Sequence, residues 1–337
     1  MTFPRKCFLI AEVAQAHDGS LGTAHAYIDA AAQAGADAVK FQCHIAAEES
    51  TPHEPWRLKF SRQDASRYDY WRRMEFTEEQ WHGLKSHCDE AGVTFLCSPF
   101  SAAAVELLTR VGVPAWKVAS GEATNDALLR QMAETGLPIL LSTGMIGWAE
   151  MEQSVRKLRA MGQDPLLFQC TTEYPCPPEH IGLNVMEEMR SRLGVRVGLS
   201  DHSGTPFPCL AAAALGATAV EVHITFSKSA FGPDVPASLD LNELRFLAEG
   251  LRWVDEMRHN PLDKDAFLET VAPMRALFMK SVVLKQAKPA GTVLTAEDLI
   301  AKKPGTGTPA DRMPEFIGRT LVRDLETDHL LKETDVV

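Results

Sequence analysis

The stretch CFLIAEVAQAHDGSLGTAHAYIDAAAQAG (7–35) decides how this chain folds. Its first eight residues form an apolar, β-rich run, and from Thr23 to Gly35 apolar residues return at helical spacing. Between the two, an open sheet built to bind a dinucleotide would carry a GxGxxG turn, but the chain reads AQAHDGS. Seven more β-rich runs follow: DAVKFQ (37–42), VTFLCSPF (93–100), AWKVAS (115–120), PILLST (138–143), PLLFQCT (165–171), VRVGLSD (195–201) and AVEVHIT (219–225). Helical patterns such as TEEQWHGLKSHCDEAG (77–92) and NELRFLAEGLRWVDEM (242–257) accompany them. Caps such as Thr77 and Asn125 open these helices, and glycines such as Gly35, Gly92 and Gly112 close them. Near-continuous apolar strands separated by helices mean a parallel sheet covered by helices. Eight units of roughly 30 residues predict an α/β chain folded as a (β/α)8 TIM barrel.

The eighth helical pattern runs out near His259, and a charged stretch follows. From Lys280 the sequence changes to short alternating runs, broken by turns at Lys288-Pro289-Ala290-Gly291 and Pro304-Gly305-Thr306-Gly307. The predicted organisation is a barrel over 1–260, a linker over 261–279 and a small β-rich domain over 280–337. So small a domain has a thin core and is expected to pack on something larger.

The 337 residues include 34 Lys and Arg against 45 Asp and Glu, a formal net charge of −11. That balance lacks the cationic surplus that displaces counterions from a phosphate backbone, so nucleic acid is not an expected partner. Seven cysteines form no CxxC pair and mostly sit in apolar runs. This argues against a disulfide framework or a zinc knuckle and for a reducing, cytoplasmic setting. No apolar stretch approaches the roughly 18 residues of a membrane helix, so no membrane is expected either. The run at 7–11 is too short for the core of a secretion signal.

The active site of a (β/α)8 barrel lies at the C-terminal ends of its strands. There the sequence places Glu12, Lys40 with Gln42, Ser98, Lys117 with Ser120 and Glu122, Ser142 with Thr143, Thr171 with Thr172, Asp201 with His202, and Glu221 with His223. A buried polar side chain needs a partner, so polar residues at one end of all eight strands point to a shared pocket. His202 and His223 end neighbouring strands about 5 Å apart. Two imidazoles there suit one divalent cation, Mn, Fe, Co or Zn before Mg or Ca, with positions open for water and substrate. Lys40 and Lys117, with Ser98, Ser120 and Ser142, make a cradle for a phosphate or carboxylate. A structural alternative pairs each lysine with Glu12 or Glu122. His17, in the loop after the first strand, is placed near the mouth, in contact with substrate or with solvent.

These residues fall in the segments IAEVAQAHDGS (10–20), ADAVKFQCHI (36–45), FLCSPFS (95–101), KVASGEATN (117–125), LLSTGM (140–145), FQCTTEYPCP (168–177), VGLSDHSG (197–204), EVHITF (221–226) and GPDVPASL (232–239). Through them the chain resembles, along nearly its whole length, the sialic acid (N-acetylneuraminate) synthases. The tail is similar to that family's antifreeze-like SAF domain, a β-clip, through GTVLTAEDL (291–299), KKPGTG (302–307) and IGR (317–319). The resemblance implies that phosphoenolpyruvate is condensed with an open-chain sugar of the N-acetylmannosamine type. A nine-carbon 2-keto-3-deoxy acid forms and phosphate is released. It implies His202 and His223 as ligands of a divalent metal, usually Mn2+. It places Lys40, Ser98, Lys117, Ser120, Ser142, Thr172, Ser200 and His202 at phosphoenolpyruvate. Glu12 matches a glutamate with a catalytic role, Glu122 and Asp234 match acidic residues near the metal's water and the sugar, and Gln42 and Tyr174 fall at sugar contacts. It further implies a domain-swapped homodimer whose SAF domain closes the partner's barrel.

In the expected mechanism, C3 of phosphoenolpyruvate attacks the metal-polarised aldehyde, water adds at C2 and phosphate leaves by C–O cleavage. Glu12 and Glu122 are the catalytic candidates for stabilising the developing cation and moving the water's proton. Four positions depart from the family pattern. Ala16 stands where Asn is usual, Gln169 where His is common, and Thr172 where some members have Asn. Lys303-Pro304-Gly305 replaces the tail's sugar-binding Arg-Pro-Gly. Lysine keeps the charge but loses the bidentate fork. The acceptor half is therefore the part that departs, and a legionaminate or pseudaminate synthase using a di-acetamido trideoxyhexose is the alternative. A metal-dependent barrel aldolase or hydrolase would leave the lysine cradle unexplained. A carbohydrate- or ice-binding protein would leave the whole mouth unexplained.

Overall fold

The first unit, up to His259, is built on eight parallel strands. These are β1 (Phe8–Ala14), β2 (Ala38–Cys43), β3 (Thr94–Pro99), β4 (Trp116–Val118), β5 (Ile139–Ser142), β6 (Leu166–Cys170), β7 (Arg196–Asp201) and β8 (Ala219–Ile224). The structure is a computed structural model that describes residues 6–337. Residues 1–5, counted with the barrel in the sequence reading, lie outside the described residues. The hydrogen-bonded order is β3-β2-β1-β8-β7-β6-β5-β4. Its two ends, β3 and β4, lie side by side and bring the sheet nearly to closure.

Strand alternation explains both layers of the interior. Phe8, Ile10, Ala38, Leu96, Ala115, Leu140, Leu166, Phe168 and Ala219 form one apolar cluster, a plug within the barrel. Two residues further along the same strands come Glu12, Lys40, Ser98, Lys117, Ser142 and Glu221, all buried. The polar set therefore forms the layer directly above the plug. On β7 the plug position is Gly198, where a Cβ would lie 2.9 Å from the Phe168 ring and 2.6 Å from the Ala219 carbonyl oxygen. Glycine there makes room for Phe168. The opposite strand faces pack on the helices, with Trp81 and Trp116 at most 1% exposed. Truncating either to Ala is expected to cost about 3–5 kcal/mol.

Local chemistry sets the helix ends. The Ser20 hydroxyl accepts from the Thr23 N–H to start helix Leu21–Ala34, which closes on left-handed Gly35. A reciprocal box between Thr77 and Gln80 opens helix Glu78–Ala91. The apolar run at 115–120 is cut short, because β4 stops at Val118 and Ser120–Glu122 turn into a 3-10 helix. There the Ser120 hydroxyl accepts from the Gly144 N–H at 3.0 Å. The link after β2 is long and contains helices Ala46–Glu49 and Arg67–Met74.

The second unit is Asn260–Val337. The stretch read as a linker holds two short helices, Phe267–Thr270 and Ala272–Phe278. Beyond it an antiparallel pair, β-strands Ser281–Leu284 and Leu299–Lys302, packs in a small core with Leu294, Phe316, Leu321, Leu325 and Leu331. Asp335 is fully buried and accepts from Arg323, His329 and the Lys332 N–H. All seven cysteines are buried free thiols. Among the described residues, no helix is long and apolar enough to cross a membrane.

Candidate active site

Register brings the charged groups together. Glu12 on β1 lies beside Lys40 on β2 and beside His223 on β8. The Lys40 ammonium is 2.8 Å from Glu12 Oε2, close enough for an ion pair though off the hydrogen-bond axis. It also lies 3.6 Å from Glu221 Oε1, and the Lys117 ammonium lies 3.3 Å from that same oxygen. Lys40 donates to Ser98 Oγ at 3.3 Å, Lys117 to Ser142 Oγ at 2.6 Å, and Ser200 to Glu221 Oε1 at 3.1 Å. Glu221 Oε2 has no hydrogen-bond partner among the described residues.

Burial opposes every charge in this layer. For Lys40 the Glu12 and Glu221 carboxylates outweigh burial and hold the pKa above its usual value. For Lys117 burial wins over Glu221, with help from neighbouring Lys40, and the pKa falls. Burial also works against the Glu221 carboxylate. Lys117, Lys40 and His223 overcome it and keep the group well below the usual carboxylate range. The alternative pairing of lysines with glutamates is thus found for Lys40 and Glu12. It is not found for Glu122, which accepts from Asn125 Nδ2 at 2.7 Å on the wall above. Glu221 takes that place because β8 closes the barrel between β1 and β7.

Above the charged layer opens a cavity of about 470 Å³. Gln42, Ser120, Glu122, Thr172, Tyr174, His223 and Asp234 line it. Gln42 Nε2 donates to Glu12 Oε1 at 2.7 Å and ties wall to floor. His202 stands behind the wall, its ring centroid 4.0 Å from that of Tyr174 and 5.4 Å from that of His223. The structure therefore gathers the predicted residues of the first unit into one floor-and-wall arrangement. Lys303 belongs to the second unit, where its ammonium lies 4.8 Å from the Phe278 ring centroid. His17 contacts neither cavity nor solvent. It is 1% exposed, its ring centroid is 4.8 Å from that of Phe76, and burial pushes its pKa down to about 3. Gln169 is structural as well, donating to the Ile181 carbonyl at 3.1 Å.

The two imidazoles fit a divalent cation. His202 Nδ1 lies 2.8 Å from the Thr171 carbonyl oxygen, which can only accept, so Nδ1 carries the proton and Nε2 keeps its lone pair. Burial, reinforced by His223, pushes the His202 pKa down to about 4 and keeps the ring neutral. Among the described residues no set of three or more His, Cys, Asp or Glu converges as metal ligands. A cation here would take its remaining ligands from water or substrate.

The sequence pattern of the NeuB family matches residues 27–261, and that of the SAF domain matches 280–337. The chain belongs to the NeuB family. It is 32% identical over 335 residues to an N,N'-diacetyllegionaminic acid synthase of Campylobacter jejuni, covering 98% of this chain and 100% of that one. It is 32% identical over 333 residues to the human N-acetylneuraminate-9-phosphate synthase, covering 97% and 92%. It superposes on a crystal structure of an N-acetylneuraminic acid synthetase from Leptospira borgpetersenii with a TM-score of 0.70 at 27% identity, over 80% of this chain and 91% of that one.

This NeuB-family chain also carries site residues that sequence reasoning missed. Glu221 lies near the end of β8 with His223, and its position in the sequence alone assigns it no role. The link after β2 supplies the rest. Arg57 Nη2 lies 2.8 Å from Asp234 Oδ1, and its guanidinium sits 4.6 Å from the Tyr174 ring centroid. His44 stacks between Trp71 and Phe100 at 4.2 and 4.7 Å, and its Nδ1 is 2.6 Å from Glu49. The signal available for Arg57 is HEPWRLKFSRQ (53–63), where Trp56, Leu58 and Phe60 alternate with Arg57 and Lys59.

Proposed function

We propose that this NeuB-family synthase condenses phosphoenolpyruvate with the open-chain form of an N-acyl hexosamine, releasing phosphate and forming a nine-carbon 2-keto-3-deoxy acid. One observation carries the reading: two buried lysines meet on a single Glu221 oxygen in the layer beneath a cavity lined by His223, with His202 next to it. Ammonium groups and serine hydroxyls converging from β2, β3, β4 and β5 are donors suited to the phosphate and carboxylate of one small anion. Residues His202 and His223 would hold the divalent metal, Mn2+ in this reading, which supplies Lewis acidity to a carbonyl oxygen when bound.

The chain's own groups account for the rest. Lys40 and Lys117 fix phosphoenolpyruvate, and C3 attacks the sugar aldehyde, forming the new C–C bond. Glu12, in register with His223, would stabilise the positive charge that develops at C2. Water adds at C2, Glu122 on the wall takes its proton, and phosphate leaves by C–O cleavage. Gln42, Tyr174 and Asp234 border the space left for the acceptor. N-acetylmannosamine is the first acceptor to try.

Phosphate release is expected only when phosphoenolpyruvate, manganese and acceptor are all present. Lys40→Met is expected to raise the phosphoenolpyruvate KM about tenfold or more, the loss of one charged hydrogen bond. Normal kinetics in that variant, or phosphate release without acceptor, would overturn the assignment.

A further inference from the structure

We infer that His25 and His87 form a second cation site, on the outer wall of the barrel, for a divalent transition metal of the Zn2+, Ni2+ or Cu2+ class. The inference goes beyond the condensation reading and uses none of its residues. His25 lies on helix Leu21–Ala34 and His87 on helix Glu78–Ala91, 62 residues apart in the chain. Both are half-buried where the two helices pack. Their Nδ1 atoms lie 2.8 Å apart with ring centroids at 5.0 Å, so the rings meet corner to corner rather than face to face. Asp29, one helical turn beyond His25 on the same face, has its Oδ1 2.9 Å from His87 Nε2.

The trio has the chemistry of a ligand pair with its orienting carboxylate. A carboxylate oxygen accepts, so His87 Nε2 carries a proton, and in the neutral ring Nδ1 then turns a lone pair toward His25. Metal-binding imidazoles are commonly fixed in this way, through a carboxylate on the far nitrogen. Burial, reinforced by His87, pushes the His25 pKa below its usual value against the pull of Asp29. That ring is therefore neutral at pH 7 and able to offer a lone pair of its own. Two nitrogens on one cation sit about 3.0–3.4 Å apart, at metal–nitrogen distances of about 2.1 Å. The 2.8 Å separation needs to open by only a few tenths of an ångström, a small rocking of the rings. The cation takes the place of the proton between the two Nδ1 atoms, and that proton moves to His25 Nε2. Water completes the coordination, while Asp29 stays bonded to His87 and offsets part of the cation's charge. Affinity at such nitrogen ligands rises from Mn2+ to Ni2+ and Cu2+, so nickel is the probe.

The test is calorimetric titration of the full-length protein with Ni2+, in a His202→Ala, His223→Ala background that removes the imidazole pair at the barrel mouth. One equivalent of nickel is expected per chain. At a nickel concentration ten times its Kd, the melting temperature should rise by about 3 °C. Adding His25→Gln or His87→Gln should abolish that equivalent and the shift with it, and Asp29→Ala should weaken binding about tenfold. In the otherwise wild-type chain, His25→Gln should remove one nickel equivalent and leave the rest, which reads the site without the background variant. No nickel uptake by the folded background variant, or uptake unchanged by His25→Gln in either chain, overturns the proposal. Neither result bears on phosphate release, so failure here is distinct from failure of the condensation reading.

Discussion

Glu221 is the group on which the charged floor depends, and a double-mutant cycle with Lys117 measures that dependence. At 3.3 Å and an effective dielectric of about 20, the Lys117–Glu221 attraction amounts to about 5 kcal/mol before burial costs. The Lys40–Glu221 contact at 3.6 Å is of similar size. Desolvation cancels much of this, but breaking a buried pair leaves the other charge without its partner, at about 3–5 kcal/mol. Glu221→Gln and Lys117→Met are therefore each expected to lose about 3 kcal/mol. The double variant keeps the Lys40–Glu12 pair and should lose less than the sum, with a coupling of about 2 kcal/mol.

Urea unfolding followed by tryptophan fluorescence reads the barrel alone, because all six tryptophans lie before residue 260. The pH dependence follows from the sign of the shift. The folded-state pKa of Glu221 is depressed, so its contribution is complete above the ordinary value of 4.5 and disappears as pH falls through the lower folded value. The gap between wild type and Glu221→Gln should be full at neutral pH and shrink under acid. A coupling under about 0.5 kcal/mol, together with a gap that ignores pH, would refute the idea that Glu221 is the shared counter-ion.

Two further outcomes check the imidazole pair and the plug beneath the floor. The His202→Ala, His223→Ala double variant should lose manganese binding in calorimetry, and wild-type affinity there would remove the metal from these residues. Gly198→Ala should destabilise the barrel by about 1–3 kcal/mol in the same urea assay, because its Cβ meets a backbone carbonyl and the Phe168 ring. An unchanged midpoint would mean that the plug has slack.

Much of the floor could be read from strand parity. Glu12 follows Ile10 by two residues, Lys40 follows Ala38, and Lys117 follows Ala115, so each polar group shares a face with a plug residue. The pairing among them could not be read that way, because Glu221 and Glu122 look equivalent in a list of strand ends. Barrel closure puts Glu221 between the two lysines and leaves Glu122 on the wall with Asn125. His17 sits in a polar loop, yet packing against Phe76 buries it. Arg57 lies in the long link after β2 and not at a strand end, and its partner Asp234 is 177 residues away.

The sequence by itself determined the alternation of eight strands with helices, the inward polar layer, the imidazole pair and the change of pattern near residue 280. Those features are written in local periodicity, which a chain carries whether or not it is folded. Only the tertiary structure decided which carboxylate balances which lysine, and that Arg57 crosses the cavity to Asp234. These are meetings between residues far apart in the chain, and strand register, barrel closure and loop packing set the distances on which their energies depend.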